Sequence, residues 1–323
     1  MKVYFAVNGI GLGHAGRCVA VARELRSRGV DVVFSTYGKA VRFVFWEGFR
    51  TYESPPIMWE ETPTGALDYR RTMLKAPLTF MKVADHFRRE YRYMKKESPD
   101  VIVSDTRYST IPASRNIGAR RLYITNQPRV YLPRDGERTS PAWLEGLARK
   151  VNYTLLSGQD AIILPDFPMP NSISRRHMEF DDAPERFREK ATFVGPITLN
   201  HPDNISQEKM EAVEKKYGIT EDGFIYIPIS GPGRAKGSIK AQLLEILPDF
   251  PYPSLMSSGE PGEFRIRKRG NLTLVDGWIH EREVLMDLAG TVVCRAGLST
   301  LSEVVVYGKT AVCLLYTSPS PRD

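Results

Sequence analysis

Cysteine is scarce: Cys18, Cys294 and Cys313 are the whole supply in 323 residues. Three thiols, odd in number and far apart, give neither a disulfide framework nor the spacing of a zinc knuckle. Apolar runs are short as well, and none approaches the roughly 20 residues that cross a bilayer. Met1 to Gly9 reads as a short strand, without the long apolar core and small-residue cleavage site of a signal peptide. Five histidines form no H-x-x-x-H pair, and no D-x-D motif occurs, so no metal site is expected. Neither glycine-rich loop is followed by the G-K-[ST] of a nucleoside-triphosphate P-loop. Short-period repeats and low-complexity tracts are missing too. Together these absences point away from secreted, membrane-spanning, zinc-bound and solenoid proteins, and towards the cytoplasm.

What is present is a soluble, globular composition, 42% apolar and 26% charged, in a chain long enough for two domains. The net charge of +7 favours anionic partners, whether phosphorylated ligands or acidic headgroups. Basic residues are not interleaved with regularly placed stacking aromatics, so nucleic acid is not an expected partner.

Strand-like and helix-like segments alternate, the pattern of parallel sheets covered by helices. Lys2 to Val7 is β-rich, a helix is predicted over Ala15 to Arg28, and Gly29 is placed to end it. Strands are predicted at Val30–Ser35, Arg50–Glu53, Asp100–Ser104, Arg121–Thr125, Ala161–Leu164 and Thr192–Ile197. Gly195 to Ser206 is rich in Pro, Asn and Asp, as a linker is. After a helix at Gln207–Tyr217 the chain starts again: strand Phe224–Ile229, glycine loop, helix Ile239–Leu247, and strands at Leu272–Val275 and Val292–Cys294. The expectation is a domain over residues 1–195 and a second over 196–315.

Two loops carry chemistry. In Asn8-Gly9-Ile10-Gly11-Leu12-Gly13-His14-Ala15-Gly16-Arg17, glycines permit a sharp turn into a helix whose N-terminus offers free N–H groups. Gly11, Gly13 and Gly16 match the dinucleotide fingerprint, which also wants an acid at the end of the second strand. Phe34-Ser35-Thr36-Tyr37 stands there instead, and weakens that reading. His14, on a loop at the C-terminal edge of a parallel sheet, has the chemistry of a general base; a simple helix-capping histidine fits equally well. In the second half, Arg295-Ala296-Gly297-Leu298-Ser299-Thr300-Leu301-Ser302-Glu303 reads as a tight turn into a helix. Its N–H groups suit a diphosphate and Glu303 suits two ribose hydroxyls, although Ser299 as an N-cap and Glu303 as a dipole-complementing acid is the plainer reading.

The run R-A-G-L-S-T-L-S-E preceded by W-I-H, with the N-terminal G-x-G-x-G-H-x-x-R, resembles the GT-B glycosyltransferases. It is most similar to the type that adds N-acetylglucosamine to a lipid-linked peptidoglycan precursor, and to its archaeal and glycolipid-making relatives. Ser104-Asp105, Gly118-Ala119-Arg120, Thr125-Asn126-Gln127 and Val194-Gly195-Pro196 fall in the same order. The resemblance implies an α/β fold of two Rossmann-like doubly wound parallel-sheet domains facing across a cleft, the second incomplete. It implies an inverting, metal-independent transfer from a nucleotide sugar, UDP-linked by expectation, to a hydroxyl acceptor, with no cofactor. Gly297, Leu298, Ser299 and Thr300 would bind the diphosphate, Glu303 the ribose, and His280 would flank the base. Gly231, Gly233 and Arg295 would complete the donor site. His14 would be the catalytic base with Asp105 as its orienting partner, and Gly11, Gly13 and Arg17 would form an acceptor or phosphate loop. A nucleotide-sugar epimerase, a non-catalytic nucleotide-sugar-binding protein and a dinucleotide-dependent oxidoreductase stay as alternatives.

Met81 to Lys96 mixes Phe87, Tyr91, Tyr93 and Met94 with Arg88, Arg89, Arg92, Lys95 and Lys96. That is either a peripheral contact with an anionic membrane, as in lipid-glycosylating relatives, or a core helix with a solvated basic face. Beyond Leu315 the pattern stops: Tyr316 to Asp323 is short and polar where a sugar-contacting loop and further helices are expected. Residues 316–323 therefore read as a non-native tail on a C-terminally truncated chain.

Overall fold

The structure, a computed structural model, describes residues 1–56, 76–131, 134–135, 138–139, 141–219, 223–229, 233–259, 263–277 and 279–314. The chain divides into two compact units between Ile197 and Thr198.

The first unit holds β1 (Lys2–Val7), α1 (Gly13–Ser27), β2 (Asp31–Thr36), α2 (Lys39–Trp46), β3 (Arg50–Glu53), α3 (Ala76–Glu97), β4 (Val101–Asp105), α4 (Thr110–Ala113) and β5 (Arg120–Ile124). A two-stranded hairpin, β6 (Arg134–Asp135) and β7 (Arg138–Thr139), precedes α5 (Ala142–Ser157), β8 (Ala161–Leu164), α6 (Glu185–Arg188) and β9 (Ala191–Phe193). Seven strands pair in parallel in the order β3-β2-β1-β4-β5-β8-β9. Their apolar side chains are covered on both faces, as a parallel sheet between helices requires: Tyr4, Phe5, Ala6, Val7, Val33 and Phe34 are all fully buried. Gly29, at φ +78°, ends α1 as its position in the sequence predicts. The strand order changes direction between β1 and β4, where chain leaving β1 turns one way and chain leaving β4 the other. That switch point is where open α/β sheets hold ligands, outside the C-terminal ends of the strands. Val7 of β1 pairs with Asp105 of β4 at that edge.

The second unit holds α7 (Gln207–Tyr217), β10 (Ile225–Pro228), α8 (Gly233–Ile246), β11 (Ser254–Ser257), β12 (Arg265–Arg269), β13 (Leu272–Asp276), α9 (Arg282–Leu288), β14 (Thr291–Cys294), α10 (Leu298–Val306) and β15 (Thr310–Cys313). Ser206 caps α7, its hydroxyl accepting from the Lys209 N–H at 3.3 Å, and Gly218 closes it at φ +63°. Six strands run β12-β13-β11-β10-β14-β15, all parallel except β12 against β13. The core packs Tyr217, Phe224, Tyr226, Leu255, Val275 and Leu285 together. The switch point here lies between β10 and β14.

Some boundaries differ from expectation. The strand predicted to reach Ile197 stops at Phe193, and Gly195 takes φ +75°. The helix predicted from Ile239 starts at Gly233. Residues 316–323 lie outside the described residues.

Candidate active site

The loop after β1 is drawn in close. A Cβ on Gly9 would stand 2.1 Å from the Tyr37 carbonyl oxygen, so only glycine fits there. Gly11 takes φ +75°, and Gly13 opens α1. Asn8 fastens the loop: its Oδ1 accepts from the Tyr37 hydroxyl at 2.6 Å and from the Ile10 N–H at 3.0 Å. Its own N–H donates to the Asp105 carbonyl at 3.1 Å, joining the ends of β1 and β4.

This brings His14, Arg17 and Asp105 together at the switch point. His14 Nδ1 lies 2.7 Å from Asp105 Oδ1. Arg17 donates through Nε to Oδ2 at 2.5 Å and through Nη2 to Oδ1. The Cys18 thiol donates to Oδ2 at 3.2 Å and the Thr106 hydroxyl to Oδ1 at 3.1 Å. Asp105 is entirely buried. Burial alone would raise its carboxyl, but the Arg17 charge, and after it His14, hold it well below the usual carboxylate range. An ionised carboxylate only accepts, so His14 donates to it through Nδ1–H, and in the neutral ring that leaves Nε2 as the acceptor nitrogen. The His14 side chain keeps 23% of its surface exposed, so the ring meets solvent while its partner does not.

Arg17 is buried on Asp105 and belongs to this cluster; Gly11 and Gly13 shape the loop.

Beneath the loop is a buried polar group that the sequence does not announce. Glu90 of α3 accepts from the Ser35, Ser54 and Arg107 side chains at 2.6, 2.8 and 2.6 Å through Oε1, and from the Tyr4 hydroxyl at 3.0 Å through Oε2. Arg107 also donates to the carbonyls of Val7 at 3.2 Å and Ser35 at 2.9 Å. The pair ties the C-terminal ends of β1 and β2 to α3. Only the alternation of buried and exposed positions along α3 hints at this, since Glu90 falls in step with Met94.

In the second unit, the segment after β14 enters α10 through Ala296 at φ +52° and Gly297 as N-cap. Among the described residues no side chain caps this helix, whose first N–H groups are those of Leu298, Ser299 and Thr300. Ser299 is exposed; Leu298 and Thr300 are buried. Glu303 lies one turn further along, and Arg282 at the start of α9 donates to its Oε2 at 2.5 Å and to Thr300 Oγ1 at 3.4 Å. Sequence reasoning missed Arg282, which follows the W-I-H run by two residues and carries no motif of its own.

His280 is exposed, on the turn between β13 and α9, and Ile279 beside it is buried. Gly277, at φ +86°, admits no side chain, because a Cβ would lie 2.8 Å from the Glu263 carbonyl oxygen. Arg295 immediately follows β14 and is half-buried. Gly233 opens α8, whereas Gly231 and Trp278 lie outside the described residues. The His14 group and the Gly297–Glu303 group belong to different units.

On α3, Met94 is fully buried in the core, and Tyr91 and Tyr93 pack against it, so these aromatics largely turn inward. Arg88, Arg92, Lys95 and Lys96 remain on the outer face with Phe87. Among the described residues no helix is long and apolar enough to cross a membrane.

No protein-family model matches the chain. An uncharacterized glycosyltransferase of Methanosarcina mazei is 30% identical over 206 residues, covering 61% of this chain and 51% of the relative. This chain thus spans about half the length of that relative, and of a similar Methanosarcina acetivorans protein (50%). Among solved structures, the glycosyltransferase SnogD of Streptomyces nogalater superimposes with a TM-score of 0.60 at 16% identity, covering 100% of this chain and 83% of that one. MurG of Acinetobacter baumannii does so with a TM-score of 0.54 at 16% identity, covering 98% and 80%. The fold is that of the GT-B glycosyltransferases: two Rossmann-like parallel-sheet units.

Proposed function

We propose that the chain acts as an inverting glycosyltransferase, moving a hexose or N-acetylhexosamine from a nucleotide sugar, UDP-linked, to an acceptor hydroxyl. The observation that carries this reading is the His14–Asp105 pair at the switch point of the first sheet, with Nε2 left to accept a proton. The named activity of the curated relatives supports it.

In this reading the donor diphosphate sits at the uncapped N-terminus of α10, where the N–H groups and helix dipole meet its charge without a metal ion or cofactor. Glu303 accepts from the ribose hydroxyls, with Arg282 holding one of its oxygens, while Arg295, His280 and Gly233 flank the nucleotide. His14 Nε2 takes the acceptor hydroxyl proton as the oxygen attacks the anomeric carbon. The bond from that carbon to the phosphate oxygen breaks with its electron pair, the diphosphate leaves, and the configuration inverts. The acceptor is lipid-linked, and the chain works peripherally at the inner face of the cell membrane. The basic outer face of α3 and the exposed apolar row Trp143, Leu147 and Val151 on α5 support that surface.

Calorimetric titration of UDP, GDP and TDP tests the donor half. UDP binding that weakens about tenfold or more in Glu303→Ala is expected, the loss of hydrogen bonds to a charged group. Absence of binding by all three nucleotides would remove the proposal.

A further inference from the structure

We infer that Arg17 is a positioning residue: it clamps the Asp105 carboxylate and opposes a second proton on His14, holding the ring neutral with Nε2 ready to accept. The inference deepens the reading of His14 as base and rests on it. Arg17 stands three residues after His14 on α1, so the two side chains share one face of the helix. Its guanidinium engages both carboxylate oxygens through Nε and Nη2, the planar fork that a lysine cannot reproduce. Nearly all of its surface is buried, so it is committed to this partner instead of reaching out to a ligand.

The consequence is a matter of charge. With a neutral ring, Arg17 and Asp105 cancel and the buried group carries no net charge. A second proton on His14 leaves two cations sharing one carboxylate, with Arg17 Nη2 only 3.0 Å from Nδ1. The ring's added positive charge then faces that of the guanidinium, and one carboxylate serves both. In a histidine–aspartate pair without the arginine, the same proton would cancel a negative charge. Among the described residues, the other titratable groups facing the cluster are Cys18 on α1 and Tyr123 on β5. Burial pushes both well above their ordinary values, so both stay neutral while His14 titrates. Arg17 thus makes the base available at lower pH than Asp105 alone would allow, and makes it weaker.

The test reads the His14 ring by nitrogen NMR across pH in the full chain without donor or acceptor, and then the pH profile of transfer. In Arg17→Gln the second proton is expected to bind at a pH higher by about one unit or more, as removal of a neighbouring like charge does. The acid limb of the rate profile should move with it. Arg17→Lys keeps the charge and loses the fork: the titration stays and the turnover falls. If Arg17→Gln does not fold, the double variant R17M/D105N decides. It removes both charges, and its titration should return close to that of the unsubstituted protein. A folded Arg17→Gln that titrates as the unsubstituted protein does, or a double variant that titrates well below it, overturns the inference. Transfer that survives His14→Gln would sink the reading of His14 as base and leave the titration result standing, so the two failures are distinguishable.

Discussion

Asp105 is fully buried and takes five hydrogen bonds from four side chains, so little about it can change quietly. Asp105→Asn leaves the Arg17 charge buried without its counter-ion, and breaking a buried pair in this way costs about 3–5 kcal/mol. Urea denaturation of the two proteins measures it. The pH dependence follows in sign. Because the carboxyl is depressed in the folded state, its contribution is complete above the unfolded carboxyl's titration near about pH 4 and fades as acid protonates the folded form. The stability gap between the unsubstituted protein and the Asp105→Asn variant should therefore narrow as pH falls below about 4. Sequence made His14 and Asp105 legible because each sits where a loop leaves a predicted strand. The work of Arg17 was not legible: a basic residue beside a glycine loop suggests an anion outside the protein, and only the paired register of β1 and β4 shows that the anion is Asp105.

Strands and helices repeat that lesson at larger size. β1 and β4 are short, largely apolar runs buried on both sides, and nothing competes with that signal. β12 is Arg-Ile-Arg-Lys-Arg, a charged edge strand antiparallel to its neighbour, with neither an apolar run nor a helical repeat to announce it. α2 escaped notice for another reason: Phe45 and Trp46 are exposed at its end, so its apolar positions do not trace a single inward stripe. β15 has the opposite problem from β12. Among the described residues it is an edge strand, with Val312 half exposed and no charged side chain between Thr310 and Cys313. Such an edge pairs readily with another chain, so Val312→Lys is expected to reduce self-association with little change in stability. Light scattering over a concentration series reads the difference.

Across the molecule, two sheets each present a glycine-bearing loop at the point where strand order reverses, the first beside β1 and β4, the second beside β10 and β14. That doubled plan was legible because each half opens with strand, glycine loop and helix. The chemistry of the two loops differs: the first holds a histidine with an acceptor nitrogen, the second an uncapped helix and an acid. The net charge of +7 acts at this scale as well. Sedimentation with vesicles containing anionic lipid is expected to carry the protein down at low salt and release it as salt screens the attraction over about 10 Å at 0.1 M. No sedimentation at low salt would remove the membrane from the account. The central claim is that His14 removes the acceptor proton during transfer from a nucleotide sugar, and the release of UDP from a UDP-sugar with a hydroxyl acceptor tests it most directly. The account predicts acceptor-dependent release that falls by about 10²-fold or more in His14→Gln while UDP still binds, the range expected for a lost general base. Release undiminished in His14→Gln would contradict it.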